Sequence, residues 1–156
     1  MIAFLKKYFY MISRTLWLLL KPLSFGVRIL MVRNRKILLV MHVYQDHWFL
    51  PGGLIERGES VEAAVRREVA EEVGATLFDL SLYGVFTNFE YGKSDHVIVF
   101  ISRDFSLNGH SDDEIERYAF FDLDDLPEGV SPGCKRQIER YINGDGPAFG
   151  LWRDRN

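Results

Sequence analysis

Two apolar runs, GVRILMV (26–32) and KILLVMHV (36–43), flank the polar triplet Arg33-Asn34-Arg35. This pattern predicts two strands joined as a hairpin, with Asn34 in the turn. HWFLPGG (47–53) is a short apolar piece broken by Pro51-Gly52-Gly53. Ser60 then opens a helix to about Val73, which Gly74 ends. Val61, Val65, Val69 and Val73 form its apolar stripe. LYGVFTNF (82–89) and DHVIVFIS (95–102) read as two further strands across the polar EYGKS, and YAFFDL (118–123) as another. Ser131-Pro132 starts a last helix, with Cys134, Ile138, Tyr141 and Ile142 inward and Gly144 as its stop. The Gly-rich tail GDGPAFGLWRDRN has no assigned element. There are no internal repeats. Strands interleaved with two helices predict an α/β/α or α+β sandwich.

The first residues follow a different pattern. In MIAFLKKYFYMISRTLWLLLKPL, Lys7, Arg14 and Lys21 recur every seven residues, with Lys6 and Ser13 beside them. On a helix this is a narrow basic stripe on a broad apolar surface, and Pro22 ends it. The uncharged runs after Lys7 and Arg14 are six residues each, far too short to span a bilayer. Arg14 also interrupts the apolar region that a signal peptide requires. The expected organisation is an amphipathic helical extension (1–22), a central domain (23–143) and a tail (144–156). The extension would pack on its own domain or a second subunit as a homodimer. Alternatively, residues 1–21 would lie on an anionic membrane surface.

Charge sharpens that picture. A chain of 156 residues with 47% hydrophobic and 26% charged positions is an ordinary folded domain. The net charge of −3 hides an asymmetry: residues 1–45 hold eight of the nineteen Lys/Arg and none of the twenty-two acids. A basic N-terminal surface facing something anionic is the implication. The single Cys134 excludes an intrachain disulfide and fits a reducing cytosol. His42, His47, His96 and His110 lack zinc-site spacing with that thiol and read as ordinary histidines. No specific nucleic-acid partner is expected.

The chemistry concentrates in VRREVAEEVG (65–74). Glu68, Glu71 and Glu72 share one helix face, where like charges repel and carboxylates in the second half oppose the helix dipole. Either the face is solvated or a cation sits on it. A hard cation such as Mg²⁺ or Mn²⁺ takes oxygen ligands, which carboxylates one turn apart and a loop carbonyl could supply. Such ions also engage substrate phosphates, so phosphate-ester or pyrophosphate chemistry is expected.

The 23-residue stretch Gly53–Ala75 resembles the Nudix signature. Gly53, Glu59, Arg67-Glu68, Val69, Glu71-Glu72, Val73 and Gly74 stand in register, and only Ala75 is small for its position. The resemblance implies a Nudix-type α/β/α sandwich with a mixed sheet. It implies hydrolysis of a nucleoside diphosphate linked to another moiety: a nucleotide sugar or ADP-ribose-like compound, a dinucleoside polyphosphate, or a nucleoside triphosphate. The alternative is a non-catalytic nucleotide-binding or regulatory module on the same fold. The resemblance further implies that Glu68, Glu71 and Glu72 bind Mg²⁺, or Mn²⁺ in its place, with the Gly52 carbonyl. Glu68 would also help activate water, Arg67 would orient the cluster by pairing with Glu59, and Gly53 and Gly74 would be structural. A later acid is expected from HSDDEIER, with Glu114 first and Asp112, Asp113 and Glu116 behind it. Tyr44, Trp48, Phe86, Asn88 and Phe89 could form a base-stacking pocket, Tyr91 stands where dinucleoside polyphosphate hydrolases often carry a tyrosine, and Arg28 could meet a phosphate. The expected location is cytoplasmic, or peripheral at the inner membrane surface.

Overall fold

A computed structural model describes residues 23–89 and 94–152. The helix expected over residues 1–22, with its dimer and membrane readings, lies outside the described residues, as does Tyr91. Among the described residues, no helix is long and apolar enough to cross a membrane.

The first hairpin forms as the pattern predicts. Strand β1 (Leu23–Arg33) turns into β2 (Lys36–His42) through Asn34 and Arg35, with φ of 51° and 60°. Positive φ at both central residues gives a two-residue turn whose twist matches the strands. The two strands then part. They pair only at Val32–Ile37 and Arg33–Lys36. Beyond the turn β2 pairs with β3 (Trp48–Phe49) and β8 (Ile115–Asp122). On its other side β1 pairs in parallel with β6 (Ser94–Ser102), from Leu23–Ser94 to Met31–Ser102. β6 pairs with β5 (Ser81–Asn88), and β5 with β9 (Ala148–Leu151). The order is therefore β3-β2-β1-β6-β5-β9, with β8 also on β2.

Where β1 leaves β2, its backbone groups need other partners. The loop after β3 supplies them. Val27 N–H donates to the Gly53 carbonyl at 2.9 Å, Ile29 N–H to the Pro51 carbonyl at 3.0 Å, and Ile55 N–H to the Phe25 carbonyl at 3.0 Å. The divergence of the two strands thus anchors the Pro-Gly-Gly loop.

Alternation along the strands makes two cores. Val27, Ile29 and Met31 of β1, with Leu38 and Val40 of β2, face helix α1 (Val61–Val73) and its Ala64, Val65, Val69 and Val73. Leu30, Val32, Ile37, Leu39, Phe86 and Ile101 face helix α2 (Pro132–Ile142) through Cys134 and Ile138. A mixed sheet between two helices is the expected sandwich.

Some expectations need correction. Ile142 is exposed, and Gln137 is buried in its place, donating to the Trp152 carbonyl at 3.3 Å. The tail makes this pocket, because β9 brings Trp152 against Gly133. Strands β4 (Ala75–Leu77) and β7 (Phe105–Leu107) form a separate small sheet that hydrophobic pattern did not reveal.

Candidate active site

Helix α1 carries the acidic face. Ser60 caps it, its hydroxyl oxygen accepting from Ala63 N–H at 3.1 Å. Gly74 ends it in the left-handed region (φ 61°, ψ 33°), and any Cβ there would overlap the Gly109 backbone. No basic residue lies in the last turn. Its terminal carbonyls instead accept from the loop before β8. Gly74 O takes Asn108 N–H at 3.1 Å and Gly109 N–H at 2.9 Å, and Glu71 O takes Asp112 N–H at 2.8 Å. The end of α1 therefore draws the second acidic loop to the site.

The three carboxylates differ in environment. Glu71 is half exposed. The Glu68 side chain is 14% exposed and lies on Gly53, where a Cβ would overlap its carboxylate. Glu72 is only 5% exposed and belongs to the inward stripe with Val65, Val69 and Val73. Its Oε2 accepts from Gly52 N–H at 2.8 Å. Burial pushes its carboxyl up to about 8, against the Arg28 charge and that N–H, and with the help of Glu68 and Asp112. Burial also raises Glu68, opposed by Arg67.

Arg67 organises the exposed side. Nε and Nη2 bond the two Glu59 oxygens at 2.9 and 3.0 Å, a bidentate pair. Nη1 bonds Glu68 at 2.9 Å and Glu71 at 3.0 Å, and Nη2 also reaches the Leu54 carbonyl at 3.1 Å. These bonds use the guanidinium's whole set of five donors. The Glu59 bond raises Arg67, and Arg67 holds Glu59 below the usual carboxylate range.

Other predicted residues fall elsewhere. Arg28 of β1 spends its Nη1 on the carbonyls of Leu50, at 3.0 Å, and Gly52. It clamps the loop and places a positive charge beside Glu72 and Glu68. Trp48 is a correction: it is buried in the core on the α2 side, edge-on to Phe121 at 4.8 Å, with the Arg117 guanidinium over its ring. Phe86 is likewise core. Their hydrophobicity found a better partner in the sheet's α2 face than in an open pocket. Tyr44 stays half-buried and stacks on His42 at 5.2 Å. Asn88 ends β5, opposite Asp95, and Phe89 is exposed. Of the loop acids, Asp112 is the one whose charge acts on Glu72 and His42, and its Oδ1 accepts from Glu114 N–H at 2.8 Å.

His42, taken from sequence as ordinary, is 8% exposed at the end of β2, with Nε2 3.6 Å from Glu72 Oε1. Burial and the Arg28 charge push it down to about 4, so it faces Glu72 as a neutral ring near pH 7. No signal in the sequence ties residue 42 to residue 72.

The donor set suits a hard divalent cation: carboxylates, a backbone carbonyl and a buried acid group that, among the described residues, accepts only one hydrogen bond, from Gly52 N–H. Among the described residues, no three His, Cys, Asp or Glu side chains already converge on one point. Arg67 bonds both Glu68 and Glu71, so an ion held by these carboxylates would share them with the guanidinium.

Fold and site together define a hydrolase built on a loop–helix carboxylate unit. The chain belongs to the Nudix family: the NUDIX domain model matches residues 22–141. It is a Nudix pyrophosphohydrolase. It is 30% identical over 124 residues to an uncharacterized Nudix hydrolase, YvcI, of Bacillus subtilis, covering 75% of this chain and 78% of that one. It is 37% identical over 101 residues to an ADP-ribose pyrophosphatase of Methanocaldococcus jannaschii, covering 62% of this chain and 60% of that one. The crystal structure of a MutT NUDIX hydrolase from Burkholderia pseudomallei superposes with a TM-score of 0.69 at 30% identity, covering 76% of this chain and 97% of that one.

Proposed function

We propose that this enzyme hydrolyses the pyrophosphate bond of a nucleoside diphosphate joined to another moiety, with Mg²⁺, or Mn²⁺ in its place. The observation that carries this reading is the Arg67 hub, which holds Glu59, Glu68 and Glu71 beside the buried Glu72. Glu68, Glu71 and Glu72, with the Gly52 carbonyl, are the residues that would hold the ion. A bound divalent ion neutralises pyrophosphate charge and lowers the pKa of a bound water. Glu68 would accept the water's proton, a role supported by the upward shift that burial gives its carboxyl group. We assign the later acid to Asp112 ahead of Glu114, because its charge acts on Glu72. Water adds to one phosphorus, the bridging P–O bond breaks, and two phosphate-bearing products leave. Asn88, Tyr91 and Tyr44 are the remaining candidates for base and ribose contacts. Among substrate classes, ADP-ribose-like compounds come first, because the archaeal relative carries that activity in its name. We assign the enzyme to the cytoplasm, with residues 1–21 as the candidate contact to an anionic membrane or a second subunit.

The test is product release from ADP-ribose, nucleotide sugars, dinucleoside polyphosphates and nucleoside triphosphates, each with Mg²⁺ and Mn²⁺. Two phosphate-bearing products, lost on metal removal, are expected from at least one class. Tight nucleotide binding without turnover across the panel would instead support a regulatory module.

A further inference from the structure

The α1-facing side of β2 reads Leu38, Val40, His42. The first two are fully buried aliphatic residues, and a third would complete the core. An imidazole stands there instead, between Tyr44, stacked at 5.2 Å, and Phe49, edge-on at 5.8 Å. Its Nδ1 is buried with no hydrogen-bond partner. An unsatisfied buried polar atom costs about 1–3 kcal/mol, which an aliphatic side chain would avoid. A purely structural role does not account for this choice.

The other ring nitrogen has a target. Nε2 lies 3.6 Å from Glu72 Oε1, while Glu72 Oε2 is already fixed by Gly52 N–H at 2.8 Å. The carboxyl group is thus approached on one oxygen by the loop and on the other by β2. The separation is slightly beyond hydrogen-bond range, as catalytic contacts often are before ligands bind. The stacked rings leave His42 little room to turn away. With its proton on Nε2, the ring directs a donor at Glu72 and leaves only a bare nitrogen in the aromatic slot.

We propose that His42 is a positioning residue whose Nε2–H sets the orientation in which Glu72 presents its carboxylate to the divalent ion. The inference rests on the assignment of Glu72 as a metal ligand. His42 touches neither substrate nor ion; it acts through Glu72, as outer partners of metal-binding side chains do.

The test is Mn²⁺ binding by the full chain, read as the loss of the free-ion signal in electron paramagnetic resonance, with thermal melting of each metal-free variant. His42→Leu fills the slot without a donor. His42→Gln returns an amide N–H near the position of Nε2. His42→Leu is expected to raise the Mn²⁺ Kd about 10–100-fold with an unchanged or higher metal-free melting temperature, while His42→Gln stays within about threefold of wild type. If His42→Leu fails to fold, His42→Phe takes its place. Wild-type affinity in the apolar variant overturns the proposal, as does equal weakening by Gln and Leu, which would make ring shape the cause. Glu72→Gln separates the two readings. If it binds Mn²⁺ as wild type does, the metal assignment itself fails. If it loses Mn²⁺ while His42→Leu does not, only the positioning role fails.

Discussion

The two faces of the sheet are built to different ends. On the α2 side, Ile138, Cys134, Trp48, Phe86 and Trp152 close an apolar core, and the buried Gln137 donates its Nε2–H to the Trp152 carbonyl while its Oε1 is left without a partner. On the α1 side, the same kind of helix stripe runs Val65, Val69, Val73 and then includes Glu72, opposite the half-satisfied His42. One helix buries what water rejects; the other buries a carboxyl group that water would prefer to keep. The lesson is that α1 gives up stability to hold an acid group in the core, where burial keeps its proton on.

The sharpest way to break this contrast is to swap apolar for polar logic on each side. Glu72→Gln should lower kcat by about 10³-fold, roughly 4 kcal/mol of barrier, while the metal-free protein melts at the same or a higher temperature. Ile138→Ala should do the reverse. Its cavity should cost about 2–5 kcal/mol in urea unfolding, with kcat per folded molecule unchanged. Equal effects of both changes on activity would erase the distinction.

A third prediction uses pH. Glu72 sits at about 8 when folded against 4.5 ordinarily, so between those values the folded chain holds a proton that the unfolded chain lacks, and stability falls as pH rises. His42 acts oppositely between about 4 and 6.5, where the unfolded chain holds the extra proton and stability rises with pH. The two largely offset each other at acid pH, and from 6.5 to about 8 the Glu72 effect is no longer opposed by His42, while Glu68, also raised by burial, acts in the same direction as Glu72. Metal-free protein in excess chelator should therefore lose melting temperature over that window, and Glu72→Gln should flatten the curve. A flat wild-type curve would mean that Glu72 is better compensated than its burial indicates.

Smaller effects test the ends of α1. Gly74→Ala forces a positive φ and meets the Gly109 backbone, and should cost about 1–3 kcal/mol in chemical denaturation. Because Gly74 also holds the Asp112 loop, activity should fall with it. Ser60→Ala removes only the cap and should cost about 1 kcal/mol with activity intact.

Much of this was readable beforehand. The Asn34 hairpin, the Ser60–Gly74 helix and the carboxylate register follow from local rules, because a turn, a cap and a 3.6-residue repeat are properties of neighbouring residues. The family assignment followed from that register. Trp48 and Phe86 misled because an aromatic side chain suits a core and a binding pocket equally, and only packing decides between them. Gln137 escaped notice because its partner, the Trp152 carbonyl, comes from the tail strand.

The sequence by itself determined that three carboxylates and an arginine share one helix face behind a glycine loop. Tertiary structure alone decided how they differ: Glu72 buried, Glu68 pressed on Gly53, Glu71 in water, and His42 and Arg28 aimed at the same corner from separate strands. Spacing along a helix fixes direction, but solvation depends on what arrives from elsewhere in the chain, and solvation sets the charge each carboxylate carries.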